Sequence, residues 1–218
     1  MVGYFTNSNL ATETGPSFPT NWKLSPPPSS IDFPRLERDD DPNWAIRRVW
    51  PYAAFRKATT KILAAFPRAG QPSQSCLDQW MRFSDPVERF NNDSLGFVAD
   101  MFPQLIESHR TGGEDVYHPT YEKKFSPAEQ EAREHGRAKF WYPTLLLNLE
   151  IKKLLPEEGV EWLFVRTGTK VIRNGRYDLE VVVMDAQEDV VALSHHVVFV
   201  VDAARNTATR VSGVAAKM

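Results

Sequence analysis

The fold of this chain is decided by its last third, where residues 162–201 have the sequence WLFVRTGTKVIRNGRYDLEVVVMDAQEDVVALSHHVVFVV. Asn174-Gly175 separates two segments rich in β-branched and other apolar residues. This dipeptide favours a two-residue hairpin, because both central residues of a type I′ turn need positive φ. A second polar turn at 186–189 leads into a third, strongly apolar segment. The pattern predicts an antiparallel meander that must be covered on at least one face.

Two further strands and one helix are predicted before this meander. Residues 77–83 and 144–152 alternate apolar and polar side chains, as strands do. Between them, a polar cluster at 91–94 is typical of a helix N-cap, and Pro103 predicts a kink or a break in the helix that follows. The apolar residues of that helix recur at spacings of three and four: Leu95, Val98, Ala99, Phe102, Leu105 and Ile106. We therefore expect an α+β fold in which an antiparallel sheet wraps around one central helix.

The N-terminal part of the chain has a different composition. Residues 1–75 are rich in proline, and we expect an extended linker over 15–35, an irregular helix within 41–66 and one short strand at residues 2–7. The domain proper is predicted to span residues 76–218. Within it, the polar segment 109–138 is expected to be an exposed excursion whose charges are solvated.

Composition and charge exclude several classes of function. The 218 residues carry 26 Lys and Arg against 28 Asp and Glu, so the chain has no broad attraction for nucleic acid. We expect no membrane span, no secretory signal, no metal site and no cofactor. The single cysteine, Cys76, fits a reducing compartment. We predict a cytoplasmic protein, with Ala216-Lys217-Met218 resembling a peroxisomal address.

Three segments resemble a known family. They are Leu95-Gly-Phe-Val-Ala-Asp-Met-Phe on the helix, Phe140-Trp-Tyr-Pro-Thr-Leu-Leu-Leu-Asn-Leu on the next strand, and Leu193-Ser-His-His-Val on the last strand. Together, and in this order, they resemble the hot-dog fold and, more narrowly, the fungal thioesterase-like branch of the acyl-CoA thioesterase II-like family. The resemblance covers residues 76–201.

The resemblance implies a domain arrangement. Members of that family carry two hot-dog units in one chain, and this chain resembles the second. Residues 1–75 would then hold a remnant strand of a first unit followed by a linker. An unpaired hot-dog unit exposes a large interface, so we expect a homo-oligomer, such as a dimer, formed through hot-dog pairing.

The resemblance also implies three catalytic residues. The family's aspartate on the central helix matches Asp100, and its threonine early in the next strand matches Thr144. The family's glutamine on the last strand falls on His196, a histidine that can donate a hydrogen bond or act as a base. Each has an ordinary alternative, namely a solvated helix carboxylate, a β-forming threonine and a satisfied strand histidine.

Strand parity leaves two questions open. In a regular strand, Thr144 would lie on the same face as the polar residues, and the aliphatic side chains would lie on the other face. A catalytic threonine should face the helix. Either a bulge near Pro143 therefore shifts the alternation, or the polar face of the strand lines the site. His195 and His196 point to opposite faces, and parity does not decide which of them faces the site.

Four residues are candidates for binding substrate. Leu95 and Gly96 lie in the first turn of the helix, where backbone N–H groups could polarise an acyl carbonyl. Trp141 and Tyr142 could line an acyl pocket, although aromatic residues at strand spacing are also typical of a core.

The leading hypothesis is a hydrolase that cleaves an acyl-CoA or other thioester with activated water held by Asp100, Thr144 and His196. One alternative is a hot-dog dehydratase or cyclase of secondary metabolism that uses His196 as its base. Another is a shortened, non-catalytic binding or interaction module.

Overall fold

The computed structural model describes Gly3, residues 15–101 and residues 105–204. Apart from Gly3, the strand predicted at residues 2–7 lies outside the described residues, and so does the C-terminal tripeptide 216–218. The predictions for these segments stay predictions.

The described residues form one large antiparallel sheet with short helices around it. The strands are β1 (Trp44–Arg47), β2 (Ile62–Pro67), β3 (Cys76–Phe83), β4 (Phe140–Trp141), β5 (Thr144–Ile151), β6 (Leu163–Gly168), β7 (Ile172–Arg173), β8 (Arg176–Met184), β9 (Val190–Phe199) and β10 (Val201–Asp202). The helices are α1 (Phe33–Glu37), α2 (Leu95–Asp100), α3 (Ile106–Arg110) and α4 (Pro127–His135). The large sheet has the strand order β1-β2-β3-β6-β8-β9-β5, with β7 pairing to β8, and β4 pairs with β10 in a separate ribbon.

The predicted meander is confirmed. Asn174 and Gly175 have φ of 50° and 68°, as the hairpin between β7 and β8 requires. The second turn is held by Asp185, whose Oδ1 accepts hydrogen bonds from the backbone N–H groups of Gln187 and Asp189. The predicted helix is broken in two: α2 ends at Asp100 and α3 begins at Ile106, on either side of Pro103.

The helix expected within residues 41–66 is present only as a short 3₁₀ helix, Lys57–Lys61. The segment also forms the strands β1 and β2, which were not predicted. Along β2, Ile62, Ala64 and Phe66 join the core on the inner face, while Ala65 joins a cluster on the outer face. This alternation has the period of a strand, and pairing with β3 stabilises it against local helix propensity. The sheet therefore continues across the boundary that we placed at residue 75.

The two faces of the sheet bury different partners. The inner face packs against α2 through the side chains of Leu95 and Val98. The outer face is covered by the proline-rich segment 15–37, which includes α1, and its residues Leu24 and Leu36 pack against aromatic residues of the sheet. The expected extended linker is therefore irregular in backbone, as predicted, but it docks on the sheet. The apolar residues that it contacts include Trp44, Trp80, Trp162 and Phe164.

The excursion at 109–138 is more closely packed than we expected. Tyr117 and Tyr121 are buried. The carboxylate of Glu122 forms an ion pair with Arg47 of β1 and a second one, at 3.4 Å, with Arg133 of α4. Part of the charge in this segment is thus paired and partly buried instead of solvated.

A buried ion pair ties the outer cover to the sheet. The guanidinium of Arg166 on β6 donates two hydrogen bonds to the carboxylate of Asp78 on β3, at 2.6 and 2.7 Å. Its third nitrogen donates to the carbonyl oxygen of Pro26 at 2.7 Å. Both charged side chains are almost fully buried. Removal of either partner would leave a buried charge without compensation.

We expect Asp78→Ala to lower the free energy of unfolding by about 3–5 kcal/mol, because it leaves the buried Arg166 guanidinium without its counter-ion. Urea unfolding measures this loss. The control is Glu161→Ala, which removes the surface ion pair with Arg89 at 4.0 Å and should cost less than about 1 kcal/mol. Equal losses in the two variants would contradict the structural role given to the buried pair.

Candidate active site

A short 3₁₀ helix, Asn92–Ser94, leads directly into the helix that carries Asp100 and begins at a well-formed cap. The side chain of Asn91 accepts a hydrogen bond from the backbone N–H of Ser94 at 3.1 Å, and Ser94 Oγ accepts one from the backbone N–H of Asn91 at 3.0 Å. The predicted cap cluster therefore forms a capping box of Asn91 and Ser94, but this box caps the 3₁₀ helix, and α2 itself has no side-chain cap. Asn92 instead bonds the backbone of Leu155 through its side chain. At the other end of α2, the side-chain amide of Gln79 donates to the carbonyl of Met101 at 3.1 Å.

Thr144 reaches the helix because β5 contains a bulge. Thr144 pairs with Val198 of β9, but Leu146 pairs with Val197, so Leu145 is an extra residue in the strand. Residues that pair directly across two strands share a face of the sheet. Thr144 therefore lies on the face of Val198 and His196, which is the face that packs on α2. Of the two alternatives left open by parity, the bulge is the one observed.

The bulge brings the first two candidate catalytic residues into contact. Thr144 Oγ1 donates a hydrogen bond to Asp100 Oδ1 at 2.8 Å. The Asp100 side chain remains 51% exposed. The carboxylate is held in place and is still accessible to a ligand.

His196 is the histidine that faces the helix. It is fully buried on β9, and its Nδ1 lies 3.8 Å from Asp100 Oδ1. Its neighbours across the strands are the apolar side chains of Leu179 on β8 and Leu147 on β5. His195 points to the opposite face, where its Nε2 lies 3.3 Å from the carboxylate of Glu180.

Burial sets the charge of His196. Removal of the ring from water lowers the pKa of His196 below its ordinary value, and this effect exceeds the opposing attraction of the Asp100 carboxylate. The nearby His195 also lowers it. The ring is therefore neutral at pH 7 and has one nitrogen that can accept a proton.

Two polar groups next to His196 did not emerge from the sequence. Ser194 Oγ lies 2.8 Å from His196 Nε2 and donates a hydrogen bond to the carbonyl oxygen of Asn148 at 2.5 Å. The spacing i, i+2 along β9 was the available signal, because it places Ser194 and His196 on one face.

The four predicted substrate-binding residues lie in different environments. Leu95 is fully buried in the inner core, and Trp141 is exposed on β4. Tyr142 donates its hydroxyl hydrogen to Glu107 Oε1 at 2.7 Å, and burial together with that carboxylate raises the pKa of Tyr142. Gly96 lies one turn before Asp100, and a side chain at this position would meet open space. The structure brings Asp100, Thr144 and His196 together, while substrate contact by these four stays a prediction.

Comparison with known proteins places the chain in a family. Residues 29–200 match the model of the acyl-CoA thioesterase C-terminal domain. The chain belongs to this family. As a member of the acyl-CoA thioesterase C-terminal domain family, with an antiparallel sheet packed on a central helix, the chain has the predicted α+β hot-dog fold.

A curated relative is similar over nearly the whole chain. The thioesterase-like protein TwmA of Talaromyces wortmannii is 34% identical over an alignment of 216 residues that covers 95% of this chain and 62% of TwmA. The chain thus spans about 62% of the length of that relative.

Solved structures give more distant similarities. A conserved protein of unknown function with a hot-dog fold from Alicyclobacillus acidocaldarius is 18% identical, with a TM-score of 0.43 over 64% of this chain and 45% of its own. A hypothetical thioesterase protein with coenzyme A from Streptococcus pneumoniae TIGR4 is 8% identical, with a TM-score of 0.36 over 78% of this chain and 91% of its own. The fold assignment rests on the family match and on the observed sheet.

The described residues show neither a membrane-spanning helix nor a cluster of metal-binding side chains. None of their helices is long and apolar enough to cross a membrane. In the same part of the chain, no group of three or more His, Cys, Asp or Glu side chains is arranged to hold a metal ion.

The lowered pKa of His196 predicts how stability depends on pH. The unfolded chain binds a proton at His196 near pH 6.5 and the folded chain only at lower pH, so the stabilisation by the neutral ring is complete above about pH 6.5 and falls as the pH drops toward the folded-state pKa. In His196→Gln, we expect a smaller loss of unfolding free energy between about pH 7 and pH 5. Urea unfolding at a series of pH values tests this.

His195→Gln is the matched control, since it removes the neighbouring histidine on the exposed face. It should leave the acid-dependent loss of stability almost unchanged. If His195→Gln and His196→Gln flattened the dependence equally, the assignment of this loss to the buried ring would be wrong.

Proposed function

We propose that this protein hydrolyses an acyl thioester, with an acyl-CoA as the substrate class, by water held between Asp100 and His196. The observation that carries the proposal is the assembly of Thr144, Asp100 and His196 where the end of α2 meets the inner face of β5 and β9. Membership of the acyl-CoA thioesterase C-terminal domain family supports the same chemistry.

The two acceptors suit the binding of a single water molecule. Asp100 Oδ1 and His196 Nδ1 are 3.8 Å apart, which is too long for a direct hydrogen bond but suitable for one water that donates to both. Thr144 Oγ1 donates a hydrogen bond to Asp100 Oδ1, and this bond fixes the orientation of the carboxylate. The oxygen lone pairs of such a water would point away from both groups, toward an approaching carbonyl carbon.

The proposed reaction then needs one proton acceptor and no group beyond this chain, water and the thioester. The water oxygen forms a bond to the carbonyl carbon while its proton passes to His196 Nδ1, and the carbonyl electrons move to oxygen. When the carbonyl re-forms, the C–S bond breaks and the thiolate leaves with the bonding electrons. The imidazolium returns its proton to the thiolate, so that the products are a carboxylic acid and a free thiol.

The open side of the site provides room for the substrate. Asp100 is half exposed, and the Gly96 position on the same face of α2 borders open space. We infer that the acyl thioester approaches along this face, with the exposed Trp141 near the β4–β5 connection as a further apolar contact.

We also propose that the exposed edge of the sheet pairs with a second copy of this chain. β5 is the last strand of the sheet order, and Leu145 and Leu146 on it are 58% and 55% exposed. A long apolar edge strand with free backbone groups readily pairs with another strand. Thr144 begins this strand, so pairing here would cover the open side of the site.

The first experiment measures free-thiol release from a series of short- to long-chain acyl-CoAs. We expect release at one or more chain lengths and a loss of about 10²–10⁴-fold in kcat/KM for Asp100→Asn, because the carboxylate that holds the water loses its charge. The matched control is Asp93→Asn, an exposed carboxylate before the same helix, which should keep full activity.

The outcomes separate the hypotheses. Release that is unaffected by Asp100→Asn would support a thioesterase but contradict the proposed site. An absence of release at every chain length would contradict hydrolysis of acyl-CoA, and it would favour the dehydratase, cyclase or binding-module alternatives.

Self-association gives an independent prediction. Leu146→Lys places a charge on the exposed edge, so we expect it to shift the protein toward monomer in light scattering across a concentration series. The control is Val171→Lys, since Val171 is 53% exposed but lies in the turn before β7. A wild-type protein that stays monomeric at high concentration would contradict pairing through β5.

A further inference from the structure

A buried hydroxyl lies beside the imidazole of His196, on the side away from Asp100. Ser194 is two residues before His196 on β9 and is 6% exposed. Its Oγ lies 2.8 Å from His196 Nε2 and 2.5 Å from the backbone carbonyl oxygen of Asn148 on β5. The hydroxyl therefore bridges the imidazole to the backbone of the neighbouring strand.

The chemistry of these three groups fixes where the protons are. A carbonyl oxygen accepts hydrogen bonds and cannot donate one, so the single hydroxyl proton of Ser194 is directed to Asn148. Ser194 Oγ then faces His196 Nε2 with a lone pair, and a hydrogen bond between them requires the proton on Nε2. A neutral imidazole carries one ring proton, so Nδ1 is left unprotonated on the side of Asp100.

We propose that Ser194 is a positioning residue that selects the Nε2–H tautomer of His196 and thereby leaves Nδ1 as the proton-accepting nitrogen at the site. This inference rests on the proposed function in so far as it assigns a purpose to that nitrogen. The tautomer itself follows from the hydrogen bonds and can be measured without any activity.

The opposite tautomer is the one that the carboxylate would favour. Asp100 Oδ1 lies 3.8 Å from Nδ1 and would attract a ring proton to that nitrogen, where the ring could no longer accept a proton from water. Among the described residues around the ring, Leu179 and Leu147 flank it on the adjacent strands, and Tyr177 is diagonal to it on β8. His195 points to the other face. Ser194 thus opposes Asp100 in setting the ring proton.

The experiment compares wild type, Ser194→Ala and Ser194→Thr by ¹⁵N NMR of the histidine ring nitrogens at neutral pH, together with acyl-CoA hydrolysis. Thr keeps the hydroxyl and suits a strand. The control is Thr167→Val, which removes a buried hydroxyl on β6, on the same face of the sheet as Ser194. This hydroxyl has no hydrogen-bond partner in the described part of the chain. Thermal unfolding shows that each variant is folded.

We expect wild type and Thr167→Val to show a protonated Nε2 and an unprotonated Nδ1 at His196. Ser194→Ala should shift the ring toward the Nδ1–H tautomer and lower kcat by at least about tenfold with little change in KM, because part of the general-base contribution is lost. Ser194→Thr should restore both the tautomer and the rate.

Two results would overturn the inference: a wild-type ring protonated on Nδ1, or an unchanged tautomer in folded Ser194→Ala. The wild-type spectrum tests the first even if a variant does not fold. Failure of the proposed function has a different signature, since the tautomer would shift as expected in a protein that releases no thiol.

Discussion

The bulge at the start of β5 is the constraint on which the site depends. Side chains on a strand alternate between faces, and in a regular β5 Thr144 would lie on the face opposite to Leu147, Leu149 and Ile151. The extra residue Leu145 changes this parity, so that Thr144 joins the inner face without moving the aliphatic side chains from it. Pro143 precedes the bulge, and its carbonyl still accepts a hydrogen bond from Phe199 at 3.0 Å. Because of this one extra residue, β5 can place its aliphatic side chains in the core and Thr144 in contact with Asp100 on the same face.

The site combines two acceptors in contrasting environments. Asp100 is half exposed at the last residue of α2, whereas His196 is fully buried beneath that helix. A carboxylate at the C-terminal end of a helix gains nothing from the helix dipole, so helix stability does not account for Asp100. A neutral histidine differs from the glutamine that the resemblance places here, because an imidazole can take up a proton and an amide cannot. The position thus allows general-base chemistry that glutamine would not supply.

Local signals predicted much of the fold, and the parts that they missed depend on long-range pairing. The Asn174-Gly175 turn, the alternation in β3 and β5 and the apolar run of β9 follow from short-range patterns. The strands at 44–47 and 62–67 did not. β1 is only four residues long, and every residue of β2 is apolar, so no alternation of polar and apolar side chains marks it. Its strand conformation depends on pairing with β1 and β3. The resemblance identified Asp100, Thr144 and His196, but parity could not decide which face held Thr144 or which histidine was buried. Ser194 was missed because its importance depends on the carbonyl of Asn148, which is 46 residues away in sequence.

The N-terminal segment covers only part of the outer face of the sheet, and the uncovered part lies near the site. On the outer face, the apolar residues of segment 15–37 cover β1, β2, β3, β6 and part of β8. The Arg166–Asp78 pair anchors that cover through Pro26. This cover does not extend to β5, where Leu145 and Leu146 stay exposed. The site lies at this same end of the sheet, beneath α2. The outer cover therefore ends before β5, so this apolar edge strand stays accessible, and so does the half-exposed Asp100 carboxylate that contacts Thr144 on it.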